Sequence, residues 1–557
     1  MPMALGLGLG LPYMAGPSGP SPALDLNFAA MAASQALDSR ITYSGASLAT
    51  LVNAAGLIAY KPHNLLTWAG DYSNAVWSAI LGSTSTASTV TIGTGASAEV
   101  RQIKSISTAS LTFTASVKIA TSSGTAKFRI KNTHGGVVDN YSSDLTATTT
   151  PQWFSLTVNN ANNAGDGTQT VGIVNASDAS SNGVTFLVSG AQLNIGPLQP
   201  YYPTTSAAYF GPRFTYDPIT LNPLGLLIEE QRTNLLVWSE ALDNAVWVKS
   251  GCTITADATV APDGNSTADL VVVTGAPGSG NVQSSAPSST SGTVTFSVYA
   301  KAGSRSIFNL TPFNGSPNTD FNLSTVSKTD NGGAVGSITS VGNGWYRCSC
   351  TITLGAPSTQ RSFIWSADGI YFWGAQLEAG AFATSYIPTT SASVTRAADS
   401  ATMTGANFSS WFNAAQGTVI VEGASAASSG YALLAGISAA ADYSGNNAIE
   451  LFLGGGTSHD RLNISVSSVD LCNITSATSM SAGSMKRIAG GWTTSGQAIC
   501  QNGGAVATHG SIAGLPASLA QMYIGSRNTA LSNNGPIKRL RYYNTALTNA
   551  QLQALTA

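Results

Sequence analysis

Apolar and polar residues alternate with a period of two along most of this chain. Leu111-Thr-Phe-Thr-Ala-Ser-Val-Lys-Ile119 shows the pattern, and Val294-Thr-Phe-Ser-Val-Tyr-Ala-Lys301 repeats it. Successive side chains of an extended strand point to opposite faces, so each segment predicts a half-buried strand. Trp153-Phe-Ser-Leu-Thr-Val158 corresponds to Trp345-Tyr-Arg-Cys-Ser-Cys-Thr-Ile352, and Val184-Thr-Phe-Leu-Val188 to Gly369-Ile-Tyr-Phe-Trp373. Gly, Asn, Ser and Asp clusters separate these runs, which predicts antiparallel sandwiches of roughly eight strands per copy, joined by short turns. One helix is expected, near the end of the chain, where Thr548 caps an amphipathic stretch containing Leu552 and Leu555.

The pairs arise because one unit occurs twice. Asn64-Leu-Leu-Thr-Trp68 and Asn234-Leu-Leu-Val-Trp238 each precede an Asn-Ala-Val-Trp block, ending at Trp77 and Trp247. Gly190-Ala-Gln-Leu193 leads to Tyr201-Tyr-Pro-Thr-Thr205, as Gly374-Ala-Gln-Leu377 leads to Tyr386-Ile-Pro-Thr-Thr390. This is duplication of a whole domain rather than a solenoid. It divides the chain into an N-terminal peptide (1–22), a lead-in (23–62), a first jelly roll (63–205), a connector (206–232), a second jelly roll (233–390), a linker (391–415) and a different terminal sandwich (416–557).

Composition narrows the class. Charged residues are 9% of 557 and apolar residues 43%, whereas about 25% charge is usual for soluble proteins. Ser, Thr, Asn and Gly must supply the polar surface, which suits a turn-rich extracellular or virion β-protein. The net charge of −2 comes without a basic run, so nucleic acid is not an expected partner. No apolar stretch of about 20 residues is present, so membrane insertion is not expected. Cys252, Cys348, Cys350, Cys472 and Cys500 have no regular spacing and read as buried thiols. Residues 1–22 lack the basic region of a secretory signal. Their Leu-Gly alternation suits a docking peptide that orders on a larger assembly, although a frayed terminus reads equally well.

The blocks within 234–390, namely Asn-Leu-Leu-x-Trp-Ser-Glu, Asn-Ala-x-Trp, Pro-Asp-Gly, Gly-Ala-Gln-Leu-Glu and Tyr-Ile-Pro-Thr-Thr, resemble a domain of bacteriophage fibre and head-spike proteins. The first copy departs from it: Ala69-Gly70 replaces Ser-Glu, Pro-Asp-Gly is missing, and Asn194 stands where Glu378 does. The C-terminal region is similar to laminin-G/concanavalin-like sandwiches, on its terminal tyrosine-containing strand followed by Ala-Leu-Thr. These resemblances imply carbohydrate-binding-like jelly rolls and a lectin-like sandwich. They further imply a homotrimeric fibre on the virion surface, held to capsid or tail proteins by its N-terminus and binding a host surface polysaccharide.

Catalytic chemistry has little support. His63, His134, His459 and His509 show no metal-ligand spacing, and nucleophile-elbow and phosphate-loop motifs are missing. A glycosidase needs two carboxylates about 5–9.5 Å apart, and no pattern singles out such a pair. The Glu229-Glu230 doublet reads as a solvated face. A polysaccharide-degrading tailspike would favour a parallel β-helix, whose short repeat this chain lacks. Tryptophans held in both copies read as packing residues. Trp365, Tyr371 and Trp492 remain as candidates for stacking on sugar rings. Asp263, Asn265 and Asp269 are candidate ligands for a structural calcium, but a type I′ turn at Asp263-Gly264 accounts for the motif without metal. No other cofactor is expected. The reading is a non-enzymatic glycan-binding virion protein, with a purely structural decoration protein as the alternative.

Overall fold

The computed structural model describes residues 20–557 apart from 96, 107–111, 136–138, 160–166, 275–279, 285–288, 314–315, 360–362, 366–368, 428–429, 440–445, 456–457, 480–482 and 528–530, and the side chains of 289–291, 356–359, 363 and 365. The expected anchoring peptide, 1–22, lies almost wholly outside the described residues. The described fold is all-β, built from antiparallel sheets.

The first jelly roll packs two five-stranded sheets. One runs Gln152–Asn159, Thr112–Thr121, Thr185–Ile195, Thr89–Thr91, Thr84–Ser85; the other Leu145–Ala147, Ala126–His134, Thr168–Val174, Glu99–Ser105, Ser78–Ile80. The second packs two six-stranded sheets in the same order. A hairpin, Ser327–Asn331 and Val335–Ser340, adds one edge strand to each. Both copies therefore carry more strands than the eight expected. Alternation places Phe113, Val117 and Leu193 in the first core and Phe296, Val298 and Leu377 in the second.

The duplicated blocks form a clamp. Asn64 Nδ2 donates to the carbonyls of Ala191 (3.0 Å) and Tyr202 (2.9 Å), while its Oδ1 accepts from the amides of Leu66 and Leu193 (both 3.1 Å). Asn234 makes the same four bonds, to Ala375, Ile387, Leu236 and Leu377. The Trp77 and Trp247 indoles each donate at 3.0 Å to the carbonyl nine residues earlier, on Trp68 and Trp238. A fully bonded buried amide fixes one geometry, so the sequence repeat records a shared scaffold.

The terminal sandwich draws on the whole chain. One sheet runs Phe214–Tyr216, Pro223–Ile228, Gly535–Tyr543, Gly417–Gly423, Lys486–Trp492, Gln497–Gln501, Ala507–His509, with Leu24–Asn27 also paired to Gly535–Tyr543. The other runs Thr42–Ser44, Ser400–Thr404, Leu519–Ile524, Tyr431–Ala439, Ala448–Gly454, His459–Val466, Val469–Ser479. This corrects the expected start at 416: strands from the lead-in, connector and linker complete the sheets. The physical reason is one long edge. Leu24–Asn27 covers Tyr542 to Arg539, and Leu226–Ile228 covers Ile537 to Gly535. Leu24, Leu26, Phe214, Leu226 and Met403 join the same core as Leu451, Ile488 and Leu540. The last helix, Asn549–Thr556, starts in a capping box between Thr548 and Gln551 and buries Leu552.

Where these segments meet, Arg213 is fully buried and paired with Glu229 (2.6 Å) and Asp399. Arg396 lies 3.6 Å from Glu229 and 3.9 Å from Asp399. Ser385 donates to Glu229 through its amide (2.8 Å) and hydroxyl (2.6 Å), and Tyr43 donates to Asp399 at 2.7 Å. Lead-in, connector, second jelly roll and linker thus share one ion-pair network. Glu229 is buried, not the solvated residue its doublet suggests, because its partner cations lie elsewhere in the fold. Burial alone would push its carboxyl up, but the Arg396 and Arg213 guanidiniums outweigh this and hold it well below the usual carboxylate range.

Replacing Arg213 with Ala strands two buried carboxylates and should destabilise the protein by about 3–5 kcal/mol, read from urea unfolding. Because the folded pKa of Glu229 is depressed, its contribution is full above the ordinary carboxylate range and is lost as pH falls through and below it. The wild-type stability should therefore decline over that acidic range more steeply than that of Glu229→Gln. Asn234→Ala leaves four backbone groups unpaired and should cost about 2–4 kcal/mol in the same assay.

Candidate functional site

The outer face of the terminal sandwich's second sheet carries a cleft of about 460 Å³. Alternation builds it. Along Ala448–Gly454 and His459–Val466, the residues Ile449, Leu451, Leu453, Leu462 and Ile464 face the core. Glu450, Phe452, Arg461, Asn463 and Ser465 therefore point the other way and line the cleft. Cross-strand register sets Glu450 beside Asn463 and Phe452 beside Arg461. Tyr431, Ser468, Asp470, Arg527 and Leu531 complete the walls. The enclosure is deep enough that Glu450 and Asn463 are only 4% and 7% exposed.

The guanidinium carbon of Arg461 lies 4.0 Å from the Tyr431 ring centroid and 4.5 Å from that of Phe452, a stacked cation–π arrangement. Arg527 pairs with Glu450 at 2.8 Å. Asp470 accepts from the Ser465 hydroxyl (2.6 Å) and the Asn463 amide (3.2 Å). The Ser465 bond first, and the Asn463 bond after burial's opposing effect, hold the Asp470 carboxyl below its ordinary value. Three buried polar atoms remain without hydrogen-bond partners among the described residues: Arg461 Nε, Arg527 Nε and Asn463 Oδ1. The polar side chains lining the cleft, set beside aromatic rings, suit a ligand with several hydroxyl or carbonyl groups.

The candidates read from sequence do not converge on this cleft. Trp492 is fully buried in the sandwich core, 6.2 Å from the Tyr542 ring. A Cβ on Gly417 would sit 2.7 Å from its indole, so that glycine makes room for a packing residue. Trp492 is therefore not a sugar platform. Tyr371 is half-buried against the cluster of Tyr299, Trp345, Trp373 and Tyr386. Trp365 stands in register between Asn281 and Asn309, and its side chain lies outside those described.

The calcium candidates also separate. Asp269 is buried, its carboxylate accepting the amides of Leu242 (2.7 Å) and Asp257 (3.1 Å). It serves as a backbone tie between a strand and the tryptophan block. Asp263 instead accepts from the Asn265 amide (3.0 Å) and side chain (2.7 Å). Among the described residues no group of three or more His, Cys, Asp or Glu is placed to hold a metal. The turn itself differs from the expected type I′. Gly264 donates to the Ala261 carbonyl at 3.0 Å, so Pro262 and Asp263 are central. Proline cannot adopt the positive φ that type I′ demands; Gly264 takes it instead, at +89°.

Sequence reasoning missed Tyr431, Arg461, Asn463 and Arg527. The available signal was Glu450 and Phe452 on the outward register of a strongly alternating strand, Ala448-Ile-Glu-Leu-Phe-Leu453.

No family model matches the chain, and no curated protein matches it. Solved structures similar to it include the Ruminococcus gnavus IT-sialidase CBM40 bound to α2,3-sialyllactose. That match is 13% identical, covers 26% of this chain and 84% of that one, and has a TM-score of 0.23. The NanB sialidase of Streptococcus pneumoniae matches at 13% identity over 28% of this chain and 26% of that one, TM-score 0.24. A heptameric SAP-like pentraxin from Limulus polyphemus matches at 14% identity over 26% and 70%, TM-score 0.20. At these scores the likenesses carry no argument about ligand or activity, and the architecture stands on the sheets described above.

Trp492→Ala should cost about 3–5 kcal/mol in thermal or urea unfolding, as expected of a core indole.

Proposed function

We propose that this protein is a virion-surface adhesin, a fibre or spike that binds a host surface polysaccharide in the cleft around Arg461. The observation that carries the reading is the cleft lining itself: the Arg461 guanidinium stacked against Tyr431 and Phe452, with Asn463, Ser465 and Asp470 beside it, sets polar groups next to aromatic rings as a polyhydroxylated ligand needs. The fibre resemblance of residues 234–390 supports the virion setting.

Geometry fits an anchored adhesin. The N-terminal strand, Leu24–Asn27, belongs to one sheet of the terminal sandwich, while the cleft opens on the outer face of the other. A capsid or tail attachment through the N-terminus therefore leaves the cleft on the opposite side. Glu450 is engaged by Arg527, and the Asp470 carboxyl is held ionised by its donors. Neither is set up as a general acid, which favours binding over hydrolysis. Trimeric assembly adds weak sites through effective concentration.

The test uses the full chain, because a fragment starting near 391 lacks four strands of the sandwich. Binding to host cells should disappear when surface polysaccharide is stripped enzymatically. Arg461→Ala and Asn463→Ala should each weaken binding by about tenfold or more without lowering oligomeric state. Undiminished binding to stripped cells, or by both variants, overturns the reading. An absence of binding by folded native oligomer moves it to a decoration protein.

A further inference from the structure

A second cavity, of about 530 Å³, lies where the lead-in, the first jelly roll and the second jelly roll meet. Its chemistry differs from that of the cleft. Glu240, Asp263, Tyr60, Trp373 and Tyr386 line it together with Gln199 of the first jelly roll. Among the described residues no lysine, arginine or histidine lines it. Tyr386 is oriented by a 2.6 Å bond to Ser239 and sits 3.1 Å from Glu240 Oε1, to which its hydroxyl donates. The lead-in is fastened beside it by the Ile58 amide, which donates to the Pro262 carbonyl at 3.0 Å.

The duplication supplies an internal control. The scaffold residues, Asn64 and Asn234 or Trp77 and Trp247, make the same bonds in both copies. Of the cavity residues, Tyr386 recurs as Tyr201, but Glu240, Asp263 and Trp373 do not. Gly70 stands where Glu240 does, Ser189 where Trp373 does, and the first copy has no counterpart of Pro262-Asp263-Gly264. The Ser-Glu and Pro-Asp-Gly blocks, distant in sequence and confined to the second copy, converge here beside Tyr386. The cavity is therefore not a by-product of the shared clamp.

We propose that this cavity binds a small organic ammonium compound, with its charged nitrogen facing Glu240 and Asp263 and its carbon frame against Tyr60, Trp373 and Tyr386. Two carboxyl groups with no cationic side chain among the described lining residues favour a positive ligand, and aromatic rings add cation–π attraction. A bare metal ion fits poorly. The space greatly exceeds an ion's needs, half of the wall is apolar or aromatic, and three or more metal-ligating side chains do not come together among the described residues. Without ligand, burial and the nearby Asp263 raise the Glu240 carboxyl to about 8, and burial raises that of Asp263. The empty site thus lowers its charge by holding a proton. The inference does not depend on the polysaccharide reading of the cleft.

Isothermal titration of the full-length protein with glucosamine, putrescine and N-acetylglucosamine tests it. Glucosamine and N-acetylglucosamine share a ring but differ in charge. Saturable binding of at least one amine is expected, with N-acetylglucosamine at least about tenfold weaker than glucosamine if the sugar amine is the one bound. Glu240→Gln and Asp263→Asn keep the side-chain shape and should each weaken amine binding about tenfold or more. Ser266→Trp, at an exposed lining position, should block it while the thermal midpoint stays unchanged. Arg461→Ala should leave amine binding intact, which separates this site from the cleft. Failure of both amines to bind, equal affinity for the amine and its acetylated form, or a heat signal from calcium alone overturns the proposal.

Discussion

Four buried charges hold the chain's parts in register. Arg213 and Arg396 face Glu229 and Asp399 in a region closed to water. Each ion alone would cost several kcal/mol to desolvate, so the arrangement is tolerable only when all four arrive together. They come from the connector and the linker, and Tyr43 and Ser385 bring in the lead-in and the second jelly roll. A mispaired connector would leave a naked buried charge. The network therefore contributes specificity more than net stability: it penalises every arrangement in which the segments dock wrongly. The terminal sandwich needs that selection, because its sheets accept short strands whose own pairing energy is small.

Duplication separates scaffold from site. The Asn64 and Asn234 clamps are alike bond for bond, so what recurs in sequence is what holds the jelly roll shut. A repeated tryptophan is then best understood through its indole bond to a nearby carbonyl, not as a ligand platform. Glu240, Asp263 and Trp373, which the first copy does not share, meet at the cavity between the copies.

Much of the fold was legible because alternation is a local signal. Phe113, Val117, Phe296 and Val298 announce their strands, and Thr548 announces its helix. Long-range pairing was not legible. Leu24–Asn27 meets Tyr542 across more than 500 residues, and four residues carry no periodic evidence of such a partner. Glu229 looked solvated for the same reason, since its arginines are distant. Trp492 looked available because it lies outside the duplicated blocks, yet it belongs to a central strand paired on both sides. The cleft was half legible: Glu450 and Phe452 stood on the outward register, but Tyr431, Arg527 and Leu531 reach it only through sheet order.

The interleaved topology changes how such a molecule carries load. In a string of beads, force between an anchored N-terminus and a distant terminal domain passes through every linker. Here the Ala23 amide bonds to the Tyr542 carbonyl, and the next four residues zip onto the last strand of the chain. A pull applied at the N-terminus enters the terminal sandwich directly and bypasses both jelly rolls. Those domains are insertions between strands of one sheet system, closed at their bases by the charge network. The sandwich is thus the hub, with the cleft on the face turned away from the N-terminal strand. The stacked Arg461 and the paired Glu450 of the cleft rest on strands of that sandwich that are paired on both sides.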